Sequence, residues 1–549
     1  MTVGARSTDA IRVIGSVLRV PDLRRVEVAF AAFGLAEYST WVAILVYAYG
    51  VAGATGAGVA ALIQLLPSAV AAPIASAFSD LVGRRRSLIA GYAIQALSMG
   101  AVALALYAHA PIAAVIALAT IAATSITFTR PAQWAIQVAL SETPEQLTAA
   151  NVMSASLGNA TILAGPALAG ALLAVSGPGL VFAVAAAGLA GAAVLSARIR
   201  KPPSSSAPPP IGTIFRESGR GLARLLEEPK SRLVVEVVAV RSVCVGALDV
   251  LAVVLAISFL GIGRSGAGYL TAAFGAGALA GAAGALALVG RTSLSRPLRL
   301  GLALFGLALA TIAAARSTWV AFVLLTVGGV GHAVAEVAGR TLLQRLTPET
   351  VLSRVFGVLE GLDMAGLALG SIVVALLVGA LGLRWTLVIV GGLLPAVAIV
   401  TGRGLRQADQ AAPVDVERLR ILKAIPMFRP LDPPTLESLA DGLSPLEVGS
   451  GTAVVRQGEP GDRLYVIAEG TVDVTKDGRP VAALGPGDFF GEIALLHDVP
   501  RTATVTAREP SRLFALEREP FLSALGRHST ATEQAHEVAR RRSADQARR

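Results

Sequence analysis

Apolar runs long enough to cross about 30 Å of hydrocarbon follow one another from Val26 onward, each closed by a short polar or basic stretch. The pattern predicts twelve spans, at 26–48, 53–78, 87–108, 111–129, 155–175, 178–197, 233–259, 266–289, 298–315, 318–338, 355–380 and 384–402. They fall into two sets of six, separated by a polar segment containing Pro202-Pro203-Ser204-Ser205-Ser206-Ala207-Pro208-Pro209-Pro210. Such a segment cannot cross a bilayer and reads as a linker. The division is an N-terminal segment 1–25, a helical half 26–198, a linker 199–232, a second half 233–405, a linker 406–417 and a soluble domain 418–549.

After Arg406 the period changes. Amphipathic helices are expected over 416–425 and 434–443, then strands over 452–455, 463–467, 471–475, 481–484, 502–506 and 513–516. Lys476-Asp477-Gly478-Arg479 predicts a tight hairpin, because Asp-Gly tolerates positive φ. Short strands with glycine turns, ending in helices from Pro520, give an α+β β-roll behind an all-α membrane bundle.

Composition agrees: the 549 residues are 54% hydrophobic and 15% charged, against about 25% charge in soluble domains. With 57 Gly and 5% aromatic residues, the helices are expected to pack through small side chains. The one cysteine, Cys244, excludes an intrachain disulfide and a Cys-based metal site. The net charge of +10 sits in loops and the tail, so nucleic acid is not the expected partner. Arg84, Arg85, Arg86, Lys201, Arg291, Arg296, Arg299, Arg345, Arg403 and Arg406 share one side, with Arg264, Arg316 and Arg384 opposite. The positive-inside rule then puts both termini and the soluble domain in the cytoplasm, on a multi-pass protein of the cytoplasmic (inner) membrane. No cleavable signal peptide is expected. Thr143-Pro144-Glu145-Gln146 and Thr347-Pro348-Glu349-Thr350 predict a matching helix start before the fifth and eleventh spans, with Thr as N-cap, which suggests a duplicated unit.

The chemistry is densest at Phe490-Gly491-Glu492-Ile493-Ala494-Leu495 and Pro500-Arg501-Thr502-Ala503-Thr504. Gly491 opens a short helix whose amides can face an anion, Arg501 adds a planar cation for a phosphate, and Glu492 adds an acceptor for a sugar hydroxyl. This stretch matches the pattern F-G-E-[LI]-A-L-x-x-x-x-P-R-x-A-T at every fixed place, and residues 418–540 resemble the cyclic nucleotide-binding domain of the catabolite activator protein, kinase regulatory subunits and gated channels. Ile425-Pro426-Met427-Phe428 and Arg456-Gln457-Gly458-Glu459-Pro460-Gly461-Asp462 fit its upstream half. The resemblance implies that Glu492 accepts from the ribose 2′-hydroxyl and Arg501 pairs with the cyclic phosphate. Gly491, Ile493, Ala494, Thr502 and Ala503 would complete the cradle. Thr502 admits cAMP or cGMP, with cAMP favoured as the regulatory ligand, and Thr530, Thr532 or His536 of the last helix are candidates for the purine lid.

Residues 20–405 resemble the major facilitator superfamily. In Ser76-Ala77-Phe78-Ser79-Asp80-Leu81-Val82-Gly83-Arg84-Arg85, the pattern G-x-x-x-D-R-x-G-R-R is met at Asp80, Gly83, Arg84 and Arg85, with Ser76 and Leu81 departing. The resemblance implies a cytoplasmic gating latch, against which stands simple obedience of the arginines to the positive-inside rule. Gly165, Pro166 and Gly170 resemble the end of a G-P-x-x-G-G exporter motif, though a Gly/Pro kink with close packing explains them equally in kind. Thr129-Arg130-Pro131-Ala132 resembles a drug- and siderophore-exporter branch.

Charges within spans are costly and mark function. The candidates are Glu37, Arg130, Arg241, Asp249 and Glu336. Glu336 and Arg340 have the spacing of a local ion pair, while Glu37 and Asp249 are the candidates for proton coupling or substrate contact. The reading is a secondary transporter, a proton-coupled exporter of a small molecule, regulated by cyclic nucleotide. The alternatives are a nucleotide-responsive membrane sensor without transport, or a gated channel, for which no selectivity loop or arginine ladder is found. No Ser/His/Asp set, metal cluster or P-loop points to an enzyme. The substrate and the oligomeric state stay open.

Overall fold

The computed structural model describes residues 19–140, 144–200, 227–285, 293–314, 317–347, 349–411, 416–431, 433–526 and 529–548. Two compact units divide the chain and meet in sequence between Ala412 and Pro413.

The first unit is helical: α1 (Pro21–Val82), α2 (Arg84–Tyr107), α3 (Ile112–Leu140), α4 (Pro144–Val175), α5 (Pro178–Ala197), α6 (Pro229–Val254), α7 (Gly263–Ala285), α8 (Ser295–Ile312), α9 (Thr318–Leu346), α10 (Glu349–Val400) and α11 (Gly402–Ala411). Among the described residues, nine helical stretches are long and apolar enough to cross a membrane. α1 is broken at Ala52 and Gly53 and α10 at Gly382, where the glycines take φ of 61° and 76°. Both breaks fall where the apolar pattern separates two spans, and only a residue without Cβ turns the chain there cheaply. A π-helical turn, Leu255–Phe259, ends α6.

Several helices outrun their apolar stretch. α3 continues past Pro131 to Leu140, α4 starts at Pro144 and α9 runs to Leu346. Hydropathy marks only the part in hydrocarbon, whereas the helix continues wherever its polar side chains find partners. Gln137 Nε2 donates to Glu27 at 2.6 Å and Tyr92 OH to Gln133 at 3.4 Å inside the bundle. Thr347 behaves differently from the expected N-cap: its hydroxyl donates to Leu343 O at 2.7 Å and closes α9. Pro348 and Thr143 lie outside the described residues.

The second unit holds α12 (Val416–Ala424), a 3₁₀ turn Pro426–Phe428, α13 (Pro433–Asp441), β1 (Ser444–Val448), β2 (Ala453–Val455), β3 (Arg463–Glu469), β4 (Val472–Lys476), β5 (Arg479–Leu484), β6 (Phe489–Phe490), α14 (Glu492–His497), β7 (Thr504–Ala507), β8 (Ser511–Glu517), α15 (Arg518–Gly526) and α16 (Ser529–Arg548). Two antiparallel four-stranded sheets, β1-β8-β3-β6 and β2-β7-β4-β5, enclose a core of Val455, Ile467, Val472, Phe490, Val505 and Leu513. A second core packs α12, α13, α15 and α16 on the other face of β3 and β8 through Leu422, Phe428, Leu464, Leu516 and Phe521. Asp477 and Gly478 take φ of 50° and 76° in the β4–β5 hairpin, as its sequence predicts. β1 and β6 escaped the sequence pattern because β1 is exposed at four of five positions and β6 has two residues.

Candidate functional site

In the second unit, β6 ends at Phe490, whose ring stacks on Tyr465 at 5.1 Å. Gly491 then takes φ 95° and turns the chain into α14. A Cβ there would stand 2.8 Å from Arg463 O, so the approach needs glycine as well as the turn. After α14 the chain returns along the turn at 458–459, where Arg501 N donates to Glu459 O at 2.8 Å and Gly458 N to Arg501 O at 2.9 Å. This pins the backbone of Arg501 to the turn at 458–459.

The Arg501 side chain is 4% exposed. Its Nη1 donates to Gly491 O at 3.2 Å and its Nη2 to Arg463 O at 2.9 Å, with Asp462 Oδ1 at 3.5 Å. Burial pulls its pKa below the usual arginine value, opposed by Tyr465, Asp462 and Glu492, yet a guanidinium stays charged at neutral pH. Two carbonyls thus orient a buried cation that keeps further N–H groups for an anion. Glu492 is 1% exposed. Gly491, Glu492, Ile493, Ala494, Arg501, Thr502 and Ala503 all line one cavity of about 450 Å³, whose far wall is apolar, with Val455, Val474 and Leu484. Small-molecule sites have volumes of about 300–1,000 Å³.

The last helix enters this cavity through a residue the sequence did not single out. Arg542 of α16 lines it, donates from Nη1 to Glu492 Oε1 at 2.9 Å and to Phe489 O at 2.7 Å, and lies 4.3 Å over the Phe489 ring. Thr532 instead donates to Leu525 O at 2.7 Å, and the His536 ring faces His497 at 5.5 Å, so neither lines the cavity. The Thr530 side chain lies outside the described residues. In the sequence, Arg542 is one of three consecutive arginines, and its two neighbours, Arg540 and Arg541, disguise it.

In the first unit, Arg130 Nη2 donates to both oxygens of Glu37, at 2.6 and 2.7 Å, joining α3 to α1. Arg241 of α6 belongs to a larger set. Its Nη1 stands 3.2 Å from His332 Nδ1 and 3.8 Å from Glu336 Oε2, and its Nη2 3.7 Å from Asp363 Oδ1. Arg340 reaches Glu336 at 3.1 Å and Asp363 at 3.5 Å, and Ser242 bonds Asp363. The expected Glu336–Arg340 pair is therefore one edge of a network across α6, α9 and α10. Asp363, a charge within the predicted span 355–380, and His332 complete the network beyond the residues that the sequence pattern marks. Asp249 stands apart from this network and accepts from the Trp41 indole N–H at 3.1 Å.

Gly83 takes φ 92° between α1 and α2, Arg84 opens α2, and Arg85 donates to Ala197 O. The Asp80 side chain lies outside the described residues. Pro166 stands inside α4, and a Cβ at Gly170 would be 2.9 Å from Ser265 O and 3.0 Å from the Tyr269 ring. Gly165 and Gly170 thus serve close packing of α4 on α1 and α7. Among the described residues no group of three His, Cys, Asp or Glu is placed to hold a metal.

The family model described as cyclic nucleotide-binding domain matches residues 445–528. The cAMP-dependent protein kinase regulatory subunit of Dictyostelium discoideum is 44% identical over 108 residues, 18% of this chain and 33% of that protein. A cyclic nucleotide-gated potassium channel of Mesorhizobium japonicum is 40% identical over 106 residues, 19% of this chain and 29% of that protein. The chain therefore spans about a third of the length of these relatives. The regulatory domain of Toxoplasma gondii PKA with cAMP is 28% identical, with a TM-score of 0.22, covering 25% of this chain and 56% of that one. A second family model, described as transmembrane secretion effector, matches residues 30–420. The chain belongs to the transmembrane secretion effector family of major-facilitator-type transporters, and carries a cyclic nucleotide-binding domain after its membrane bundle.

Proposed function

We propose that this cyclic-nucleotide-binding membrane transporter is a proton-coupled exporter of a small molecule, switched by cytoplasmic cAMP. The observation that carries the regulatory half is the convergence of Glu492 and Arg501 on one cavity of about 450 Å³. In this reading the cyclic phosphate lies on Arg501 and the amides of Ile493 and Ala494, with the Thr502 hydroxyl donating to it. Glu492 accepts from the ribose 2′-hydroxyl, and the purine lies toward the valines. Kinship with cAMP-dependent regulatory subunits favours cAMP over cGMP.

The transport half has twelve spans in two six-helix halves, 26–198 and 233–405, which the breaks at Gly53 and Gly382 support by dividing α1 and α10. Basic loops place both termini and the domain 418–549 in the cytoplasm, with the protein in the inner membrane. Asp80, Gly83, Arg84 and Arg85 form its gating latch. Glu37 and Asp249 carry coupling protons or contact substrate, and Arg130, Arg241 and Glu336 hold the charged interior. Nucleotide acts through the linker 406–417 and shifts the balance of transporter states by its differential affinity, about 1–3 kcal/mol.

Flux in inverted vesicles, screened with and without cAMP under a proton gradient, tests both halves. Nucleotide-dependent uptake that needs the gradient is expected, with loss in Glu37→Gln or Asp249→Asn. Full retention of flux in both variants refutes proton coupling there, and uptake indifferent to cAMP refutes the regulation.

A further inference from the structure

We propose that Arg299 and Arg406, with Arg296 and Arg403 beside them, bind the phosphodiester headgroup of an anionic membrane phospholipid at the rim of the bundle. The site is separate from the nucleotide pocket and from the charges buried between the helices.

The last apolar stretch of the bundle ends at Val400, and α11 starts at Gly402. This short helix is docked. Leu405 and Ala408 are fully buried, and Asp409 accepts from Leu294 N, Ser295 N and Ser293 Oγ at the start of α8. The one acid of α11 is thus turned inward and spent on neutral donors, while Arg403 and Arg406 stay exposed.

Arg299 of α8 comes to the same place. Its Nε donates to Ala398 O of α10 at 2.8 Å, and its guanidinium lies against Gly402, where a Cβ would stand 2.8 Å from Cζ. Arg406 folds back onto the same residue, with Nε donating to Gly402 O at 3.2 Å. Two guanidinium groups from different helices therefore meet at one glycine. Arg296 and Arg403 stand three residues before them on α8 and α11, about one helical turn away. Among the described residues, no Asp or Glu oxygen lies within 4.0 Å of any of these four arginines.

Arginines that only mark one side of a membrane extend into water, which screens them. Arg299 and Arg406 are instead drawn back onto carbonyls, and the rest of their N–H groups have no carboxylate to meet. Like charges held this close call for an anion, and the oxygens of a phosphate suit the planar fork of arginine. Basic pockets between helices at a membrane surface take lipid headgroups for this reason.

The surroundings favour a lipid over a free anion. Leu300, next to Arg299, is 70% exposed, and Val400, two residues before Gly402, is 81% exposed. Both belong to stretches apolar enough to cross a membrane, so acyl chains cover them while the headgroup meets the arginines. A phosphate held here ties α8 to α11, the last helix before the chain leaves the bundle.

Native mass spectrometry of the full-length protein, titrated in detergent with dioctanoyl phosphatidylglycerol, tests this. Saturable binding is expected, weaker at higher ionic strength. Dioctanoyl phosphatidylcholine should bind at least about tenfold more weakly, because its choline cation meets the same arginines. Arg299→Gln with Arg406→Gln should lose at least about tenfold in affinity for phosphatidylglycerol, whereas Arg384→Gln, at the other end of the same apolar stretch, should bind as the wild type does. Glycerol phosphate, which has the charge without the chains, should not compete. Equal affinity for the two lipids, an unchanged double variant, or no saturable binding overturns the proposal. Full competition by glycerol phosphate overturns it too, in favour of a free-phosphate site. If the double variant fails to fold, the two single variants decide, each expected to lose about threefold to fivefold.

Discussion

The two units place buried charges in opposite ways. In the β-roll, Arg501 and the carbonyl of Gly491 that orients it are ten residues apart, and backbone atoms do most of the orienting. In the bundle, Arg130 and Glu37 are 93 residues apart, Trp41 and Asp249 are 208, and side chains alone meet across helices. A binding loop built on its own backbone is a local object and survives transfer between proteins, as the match to kinase subunits and a channel illustrates. A pathway between helices is not local, and each member depends on how whole helices sit.

The largest break in this contrast comes from Arg501→Ala. It removes a buried cation from an anion site, and cyclic nucleotide binding by calorimetry should fall by about 3 kcal/mol or more, over a hundredfold. Glu492→Gln should weaken cAMP by about tenfold through loss of one charge-assisted bond, and 2′-deoxy-cAMP much less. Equal losses for the two ligands would remove Glu492 from the ribose.

Arg542→Ala tests the contact that the last helix makes with the pocket. It leaves Glu492 buried without its cation and should lower nucleotide-free melting of the roll by about 1–2 kcal/mol, discounted because Arg542 is partly exposed. Saturating cAMP should raise the melting point more in this variant than in the wild type, since a ribose hydroxyl replaces the lost donor.

The smallest effect belongs to Asp409 of α11, a bundle residue that behaves as roll residues do. Its carboxylate accepts from Leu294 N at 2.9 Å, Ser295 N at 3.2 Å and Ser293 Oγ at 2.6 Å. Burial pushes its pKa up, but these bonds outweigh it and hold the group below the usual aspartate value. The folded state therefore binds fewer protons than the unfolded one. Its stabilisation is present above the unfolded value of about 3.9 and is lost as pH falls through the folded one. Asp409→Asn should cost about 1 kcal/mol at neutral pH, read as faster hydrogen exchange at Leu294 and Ser295, and the difference from wild type should vanish in acid. A difference that grows in acid would have the sign wrong.

The sequence by itself determined what depends on neighbours in the chain. Apolar runs marked helices near the hydrocarbon, Asp477-Gly478 set a hairpin, and residues 490–504 carried the pocket's own charges, because a turn, a strand end and a short helix are local. It did not determine where helices end, since Gln133 and Gln137 extend α3 through partners on other helices. Nor did it separate Asp249 from Glu37, two acids alike in setting along the chain. Only the tertiary structure decided that Glu37 has Arg130, that Glu336 and Asp363 share two arginines, that Asp249 accepts from the Trp41 indole, and that Arg542 closes on Glu492. The reason is physical: the cost of a buried charge is set by what stands within a few ångströms of it, and in a bundle those atoms come from helices a hundred or more residues away.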